Sequence, residues 1–212
     1  MADFNRSFKW LNEEEPVGAT PLDPDECEGL LHKHIETRAE LNELENANII
    51  QGLLWLRKQK NLSHDSLLSR DFILRLHRQL LGDTWEWAGR FRTRESNLGC
   101  DPLVIETNLH NLLEDIKCWI EFQHYPTLEL SARIQHRLVQ IHPFVNGNGR
   151  HTRIITDCVR QHLLKLPPLT WANGNLDQQN DERKAYIDCL RKADVGDYQA
   201  LVNYLVDKGN TT

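Results

Sequence analysis

The chain has 212 residues, a length that fits one domain or one domain with a short arm. Hydrophobic residues make up 40% and charged residues 26%, an ordinary globular composition that excludes a wholly disordered chain. With 31 acidic and 25 basic residues the net charge is −6, so we do not expect a protein that mainly coats nucleic acid or an anionic membrane.

The sequence lacks the marks of a membrane or secreted protein. No apolar run approaches the roughly 20 residues that span a bilayer, and charges interrupt residues 1–16, where a signal peptide needs an apolar stretch. The five scattered cysteines form no CxxC pair and do not indicate a disulfide framework. We therefore expect a cytoplasmic protein without membrane or direct nucleic-acid binding; the sequence leaves its oligomeric state open.

The chain divides into three predicted regions. Residues 1–23 contain prolines, a glycine and an acidic run, and predict an irregular arm. The helix start signal Asp23-Pro24-Asp25-Glu26 leads into residues 24–60, which predict a helical region that is a candidate for regulation. Residues 61–208 predict the main helical domain.

Apolar residues recur at helical spacing through the main domain. A helix is predicted after the start signal at Ser69, and further helices are predicted over 106–122, up to 141, 148–166, 179–193 and 197–207. Only residues 89–105 have a different pattern, with β-compatible ends around a polar middle that contains a glycine. The expected fold is all-α, a compact helical bundle with one small β-hairpin, which Pro102 restricts to an edge.

A glycine-rich turn between two predicted helices contains the residues that fit a chemical role. Gly147 and Gly149 precede a helix, and the free N–H groups of such a turn favour an anion. Arg150 and Arg153 follow three residues apart, an arrangement that suits a polyphosphate. His142, at the entrance, could act as acid or base near neutral pH. A plain turn with a packed histidine would give the same spacing.

Residues 142–153, His-Pro-Phe-Val-Asn-Gly-Asn-Gly-Arg-His-Thr-Arg, resemble the signature of Fic (fido) domains, His-x-Phe-x-(Asp/Glu/Asn)-Gly-Asn-Gly-Arg-x-x-Arg. All eight defined positions match. Residues 87–93 are similar to the strand that enters the family's target-docking flap, and residues 186–198 are similar to its carboxy-terminal helices. Residues 20–26 and 37–42 most resemble the Fic-containing mobile mystery protein B group.

The resemblance implies a Fic-type helical fold and a protein adenylyltransferase, which transfers AMP from ATP to a Ser, Thr or Tyr hydroxyl and releases pyrophosphate. It implies that His142 is the general base and that Phe144 anchors the loop. The target protein would dock at the flap, residues 91–105.

The resemblance also assigns the ATP phosphates to five residues. The backbone N–H groups of Gly147, Asn148 and Gly149 would hold the α- and β-phosphates, Arg150 the β-phosphate and Arg153 the γ-phosphate. Relatives that transfer the γ-phosphate have lysine at the position of Gly149, so glycine favours AMP transfer.

Asn146 occupies the position where many relatives have an acidic ligand for Mg²⁺. An amide oxygen lacks the negative charge of a carboxylate, so we expect a weaker Mg²⁺ site there.

The family also has an inhibitory motif, (Ser/Thr)-x-x-x-Glu-(Gly/Asn), whose glutamate pairs with the second signature arginine, here Arg153. This chain has no complete copy. Glu45 followed by Asn46 keeps the end of the motif and is the first candidate for the inhibitory acid, and Glu40 is the second. A solvated acidic helix face is the alternative, and inhibition by a separately encoded, antitoxin-like partner is another.

The sequence is compatible with two hypotheses about the function of the chain. The first is the ATP-dependent enzyme, which could also be the toxin of a toxin–antitoxin pair. The second is a non-catalytic nucleotide-binding module on the same fold. The presence of His142 favours the enzyme, because a module that only binds nucleotide does not need a base.

Overall fold

A computed structural model describes residues 27–60, 62–171 and 181–209. The helices in these ranges are α1 (Arg38–Arg57), α2 (His64–Leu67), α3 (Arg70–Leu81), α4 (Ile105–Glu121), α5 (Thr127–Ile141), α6 (Asn148–Cys158), α7 (Asp181–Asp194) and α8 (Gln199–Gly209). A short 3-10 helix, Pro102–Val104, precedes α4, and α6 continues as a π-helix over Val159–Leu163.

Local signals explain where the helices begin. The side chain of Ser69 accepts the Phe72 N–H at the start of α3, as the sequence predicts. Thr37 and Glu40 form a capping box at the start of α1. The prediction that a helix starts at Asp23 lies outside the described residues, as does the predicted arm.

The helices share one main core, and α5 lies at its centre. α1 packs along α3, while α5 contacts α4, α6 and α8. Leu41 of α1 is buried in the same cluster as Phe72, Ile116 and Phe144, so the N-terminal helix and the main domain are not separated by a polar layer. A smaller cluster, with Tyr186 and Leu201, joins α7 and α8 to α5.

The predicted β-hairpin is not present in the described chain. Residues 91–101 are irregular, and the described residues contain one isolated β-bridge, between Leu30 and Trp85, rather than a sheet. The buried guanidinium of Arg92 binds the carbonyls of Arg94 and Cys100, groups that a hairpin would use for strand pairing. The Arg92 side chain therefore holds the flap in place of the hydrogen bonds between paired strands. The all-α prediction is confirmed.

None of the helices in the described ranges combines the length and the apolar character required for a membrane span.

Candidate active site at the signature loop

The signature loop, residues 142–147, connects α5 to α6. α5 ends at His142, whose backbone is left-handed (φ 49°, ψ 61°), a conformation that is uncommon for a residue with a side chain. Gly147 precedes α6 with φ 76°. A Cβ at this position would lie 2.5 Å from Cδ1 of Leu81, and the left-handed backbone itself favours glycine there.

The side chains of two asparagines form hydrogen bonds with the backbone of the loop. Oδ1 of Asn148 accepts the Phe144 N–H at 3.0 Å, and Nδ2 of Asn148 donates to the Phe144 carbonyl at 2.8 Å. Oδ1 of Asn146 accepts the Gly147 N–H. Asn148 can therefore offer a phosphate only its backbone N–H, and a phosphate at Gly147 would have to displace the Asn146 carboxamide.

Phe144 of the signature loop lies in the main core. Its ring is fully buried and stacks on His77 of α3, with ring centroids 3.7 Å apart, and His151 contacts it edge-on. Nδ1 of His77 accepts the Gly89 N–H at 2.9 Å. Since Nδ1 is an acceptor, Nε2 carries the proton and donates to the Asn146 carbonyl at 3.0 Å. His77 thus connects the loop to the segment that leads into the flap.

His142 is a neutral imidazole at physiological pH. Burial and the nearby Arg92 guanidinium lower its pKa to about 4, and a hydrogen bond with the backbone of Val139 opposes this shift. Above that pH the ring can accept a proton, which is the state that a general base requires.

Glu45 reaches the signature region, but its partner differs from the prediction. Its carboxylate Oε2 lies 3.1 Å from Nη2 of Arg150, the first signature arginine, and Oε1 accepts the Trp85 indole N–H at 2.8 Å. The expected pairing of Glu45 with Arg153 is therefore wrong in this structure. Trp85 holds the carboxylate from one side, which directs it to the arginine that projects toward α1.

Arg153 lies deeper than Arg150. It is 9% exposed, and its charge acts on Asp157 and on Tyr186 of α7. A Cβ added at Gly149 would lie 3.6 Å from its Nη1, an ordinary contact distance. Position 149 therefore accepts a side chain sterically, but that side chain would extend beside the Arg153 guanidinium.

Glu40 is engaged at the start of α1. Its Oε2 accepts the N–H groups of Glu36 and Thr37, and these backbone hydrogen bonds lower the pKa of the carboxyl. This geometry gives Glu40 a capping role and makes Glu45 the better candidate for contact with the signature loop.

A metal ion would find few protein ligands at this site. Within the described ranges, no three His, Cys, Asp or Glu side chains lie close enough together to hold one. Asn146 contributes a neutral amide oxygen that already accepts a hydrogen bond. These residues do not fit a metal site made by the protein alone, and an Mg²⁺ ion would depend mainly on phosphate oxygens.

An open cavity of about 480 Å³ lies beside the base of the flap. Two of its lining residues, Cys100 and Ile141, flank the catalytic candidate. The others come from α4, α5, the end of α7 and the turn before α8: Asn108, His136, Arg137, Gln140, Ala193, Asp194, Gly196 and Tyr198. The flap itself exposes Leu98, Leu103 and Val104.

Three residues of the site were not among the sequence-based candidates: His77, Trp85 and Arg92. Each is buried although it is polar or amphipathic, yet nothing in the local sequence identifies its partner. His77 lies on the apolar face of α3, and that mismatch is the signal that could have singled it out.

Part of the chain is similar in sequence to proteins of one known family. Residues 67–159 match the Fic/DOC family. Protein adenylyltransferase fic-1 from Caenorhabditis elegans is 31% identical over 147 residues, which are 67% of this chain and 27% of that protein. The chain thus matches about a quarter of the length of this relative.

Two solved structures are similar in fold. Fic-1 from C. elegans has a TM-score of 0.58 and 25% identity, covering 78% of this chain and 49% of that one. BepC, a translocated effector from Bartonella tribocorum solved with bound AMPPNP, has a TM-score of 0.65 and 16% identity, covering 88% of this chain and 98% of that one. Residues 67–159 therefore form a Fic/DOC family domain within this chain. The finer likeness to the mobile mystery protein B group stays a prediction.

Proposed function

We propose that the chain is a protein adenylyltransferase that transfers AMP from ATP to a Ser, Thr or Tyr hydroxyl of a target protein. One observation carries the proposal: a neutral, buried His142 and the amino terminus of α6, which begins at Asn148, lie on one short loop. A base and an anion-binding helix end are thereby held within a few residues of each other. The Fic/DOC match and the adenylyltransferase names of the relatives support the same activity.

In the proposed step, the His142 imidazole accepts the proton of the target hydroxyl. The hydroxyl oxygen forms a bond to the α-phosphorus of ATP while the bond from that phosphorus to the bridging α–β oxygen breaks. The products are a phosphodiester on the target and pyrophosphate. Because positioning and charge stabilisation dominate phosphoryl transfer, the loop acts mainly by holding ATP in line.

The ATP phosphates would lie over the start of α6. Backbone N–H groups at Asn148 and Gly149 would bind the α- and β-phosphates, and Gly147 would join them once Asn146 turns away. Arg150 and Arg153 would neutralise the β- and γ-phosphates. The nucleoside would occupy the cavity beside the flap, whose 480 Å³ is typical of small-molecule sites.

Mg²⁺ would assist by neutralising phosphate charge, with Asn146 as its protein ligand. A single amide oxygen predicts a lower affinity for the ion than a carboxylate would give.

The target protein would dock on the flap, residues 91–105, whose apolar side chains Leu98, Leu103 and Val104 are exposed. A role as a toxin with a separately encoded regulator is a further proposal from the sequence. If it holds, expression without the neighbouring gene should slow growth, and the His142→Ala variant should not.

The deciding experiment is incubation with α-labelled ATP and a cell lysate, followed by mass spectrometry of the labelled proteins. A mass increase of AMP on Ser, Thr or Tyr is expected. Nucleotide binding without transfer, with purified chain and several lysates, would instead favour the non-catalytic binding module.

A further inference from the structure

Arg92 is a buried cation at the base of the flap. It is 4% exposed, and its Nε donates to the carbonyl of His142 at 2.7 Å. Its two terminal nitrogens donate to the carbonyls of Arg94, at 2.9 Å, and of Cys100. Its backbone N–H donates to the carbonyl of Pro143 at 2.9 Å. Four carbonyls from two separate segments thus converge on one residue.

These four carbonyls belong to the signature loop and to the flap, the two segments that would meet during AMP transfer. His142 and Pro143 begin the signature loop, while Arg94 and Cys100 lie in the outgoing and returning arms of the flap. Only a planar guanidinium offers enough donors in a fixed geometry to bind three carbonyls in different directions. A lysine ammonium would retain the charge but not this arrangement.

The returning arm of the flap also lies directly against His142. A Cβ at Gly99, which has φ 102°, would be 2.5 Å from Cβ of His142 and 2.7 Å from Nη2 of Arg92. The Cys100 N–H donates to the Ile141 carbonyl at 3.4 Å. The flap and the end of α5 therefore form one closely packed junction around Arg92.

We propose that Arg92 is a positioning residue for AMP transfer: its guanidinium fixes the left-handed backbone of His142 and both arms of the flap in one register, so that the base faces the docked hydroxyl. This inference rests on the proposed adenylyltransferase activity. A non-glycine residue in the left-handed region costs free energy, and the hydrogen bond from Arg92 to its carbonyl helps to hold it there.

The charge of Arg92 has a second consequence for His142. Arg92 is a charged group that acts on this ring, while Cys100, Asp101 and Glu95 of the flap act on Arg92 itself. From α5, the Val139 backbone bonds the ring. A nearby cation disfavours the protonated imidazole, so Arg92 adds to the effect of burial in keeping the base neutral.

The test compares Arg92→Lys and Arg92→Met with the parent. Both changes should lower kcat by about 10²-fold, the typical effect of displacing a reacting group by about 1 Å, with the Kd for ATP nearly unchanged. Arg92→Met should also move the acid limb of the pH–rate profile to higher pH, because the cation is gone, whereas Arg92→Lys should leave that limb near its original position.

Arg160 provides the matched control. It is 8% exposed, and its guanidinium donates to the Pro167 carbonyl at 2.9 Å and to the Ser131 hydroxyl at 3.0 Å, away from the flap. Arg160→Met should lower Tm without moving the pH profile. Equal effects of the Arg92 and Arg160 changes on kcat and on the pH profile would overturn the positioning role.

A readout without catalysis separates this inference from the proposed function. The His142 ring can be titrated by NMR, and hydrogen exchange of the flap amides can be measured, in folded Arg92→Lys, Arg92→Met and Arg160→Met. A higher His142 pKa in Arg92→Met and faster flap exchange in both Arg92 variants support the inference even if the parent transfers no AMP. Unchanged values in an active enzyme overturn it while leaving the proposed function intact.

Discussion

The carboxylate of Glu45 in α1 lies 3.1 Å from Nη2 of Arg150 in α6, across 105 positions of sequence. The carboxylate is 14% and the guanidinium 23% exposed, so water screens this ion pair less than a surface pair. Trp85 donates to the other carboxylate oxygen at 2.8 Å. An arginine expected to bind phosphate is thus already occupied in the free chain.

Breaking this pair should activate the enzyme. Glu45→Gly should increase self-labelling with α-labelled ATP, because Arg150 would then be available to the phosphates. Glu40→Gly is the control: it removes a helix cap, so Tm should fall while labelling stays near the parent level. If Glu45→Gly does not raise labelling, inhibition within the chain is wrong and an external regulator becomes the better explanation.

Removing the base should separate chemistry from binding. His142→Ala should lower the rate of AMP transfer by about 10²–10⁴-fold, the usual contribution of a general base. ATP affinity by calorimetry should change little, since the helix end and both arginines remain. Equal labelling by variant and parent, where chemistry limits the rate, would contradict the mechanism.

The phosphate of ATP whose label enters the target protein shows in which orientation ATP binds to the loop. Label from the α-phosphate should enter the target, and label from the γ-phosphate should not. Gly149→Lys should reduce transfer, because an ammonium beside Arg153 would repel that guanidinium and redirect the phosphates. Gly149→Ala, which adds only a Cβ at 3.6 Å from Arg153, is the matched control and should retain most activity. Finding γ-label on the target would exclude adenylyl transfer.

The metal requirement should depend on position 146. Asn146→Asp should lower the Mg²⁺ concentration needed for half-maximal transfer, because a carboxylate binds this ion more strongly than an amide. Asn146→Gln, which keeps the neutral amide on a longer arm, serves as the control. The same half-maximal Mg²⁺ concentration in parent and Asn146→Asp would show that Asn146 does not face the ion.

Stability should fall in mild acid. Burial lowers the pKa of His151 to about 4 in the folded chain, from an ordinary value of 6.5. The unfolded state therefore binds the extra proton between these values, so the stability that His151 contributes is complete above pH 6.5 and declines toward pH 4. In His151→Gln the free energy of unfolding should decrease less steeply as the pH falls. The slope should change by roughly 1.4 kcal/mol per pH unit at most.

Urea unfolding at pH 7, 6 and 5 provides the measurement for this prediction. Replacement of the exposed His124 serves as the control for a histidine change at the surface. An unaltered slope in His151→Gln would show that this histidine does not stay neutral in the folded chain.

Features that depend on interactions between neighbouring residues follow from the sequence. Ser69 and Thr37 cap helices because their hydroxyls reach N–H groups three residues away. The apolar stripe over 106–122 predicted α4, which is observed at Ile105–Glu121. The signature at residues 142–153 was recognisable by its resemblance to a family motif, because its eight defined positions lie within twelve consecutive residues.

Contacts between side chains that are distant in sequence depend on how the helices pack. The flap has no hairpin in the described chain because Arg92 takes the carbonyls that strands would use, and the carbonyl it binds at His142 is 50 positions away. Glu45 contacts Arg150 instead of Arg153 because Trp85 and the packing of α1 on α3 set its direction. Such contacts depend on how helices pack, and helical periodicity alone leaves that packing undetermined.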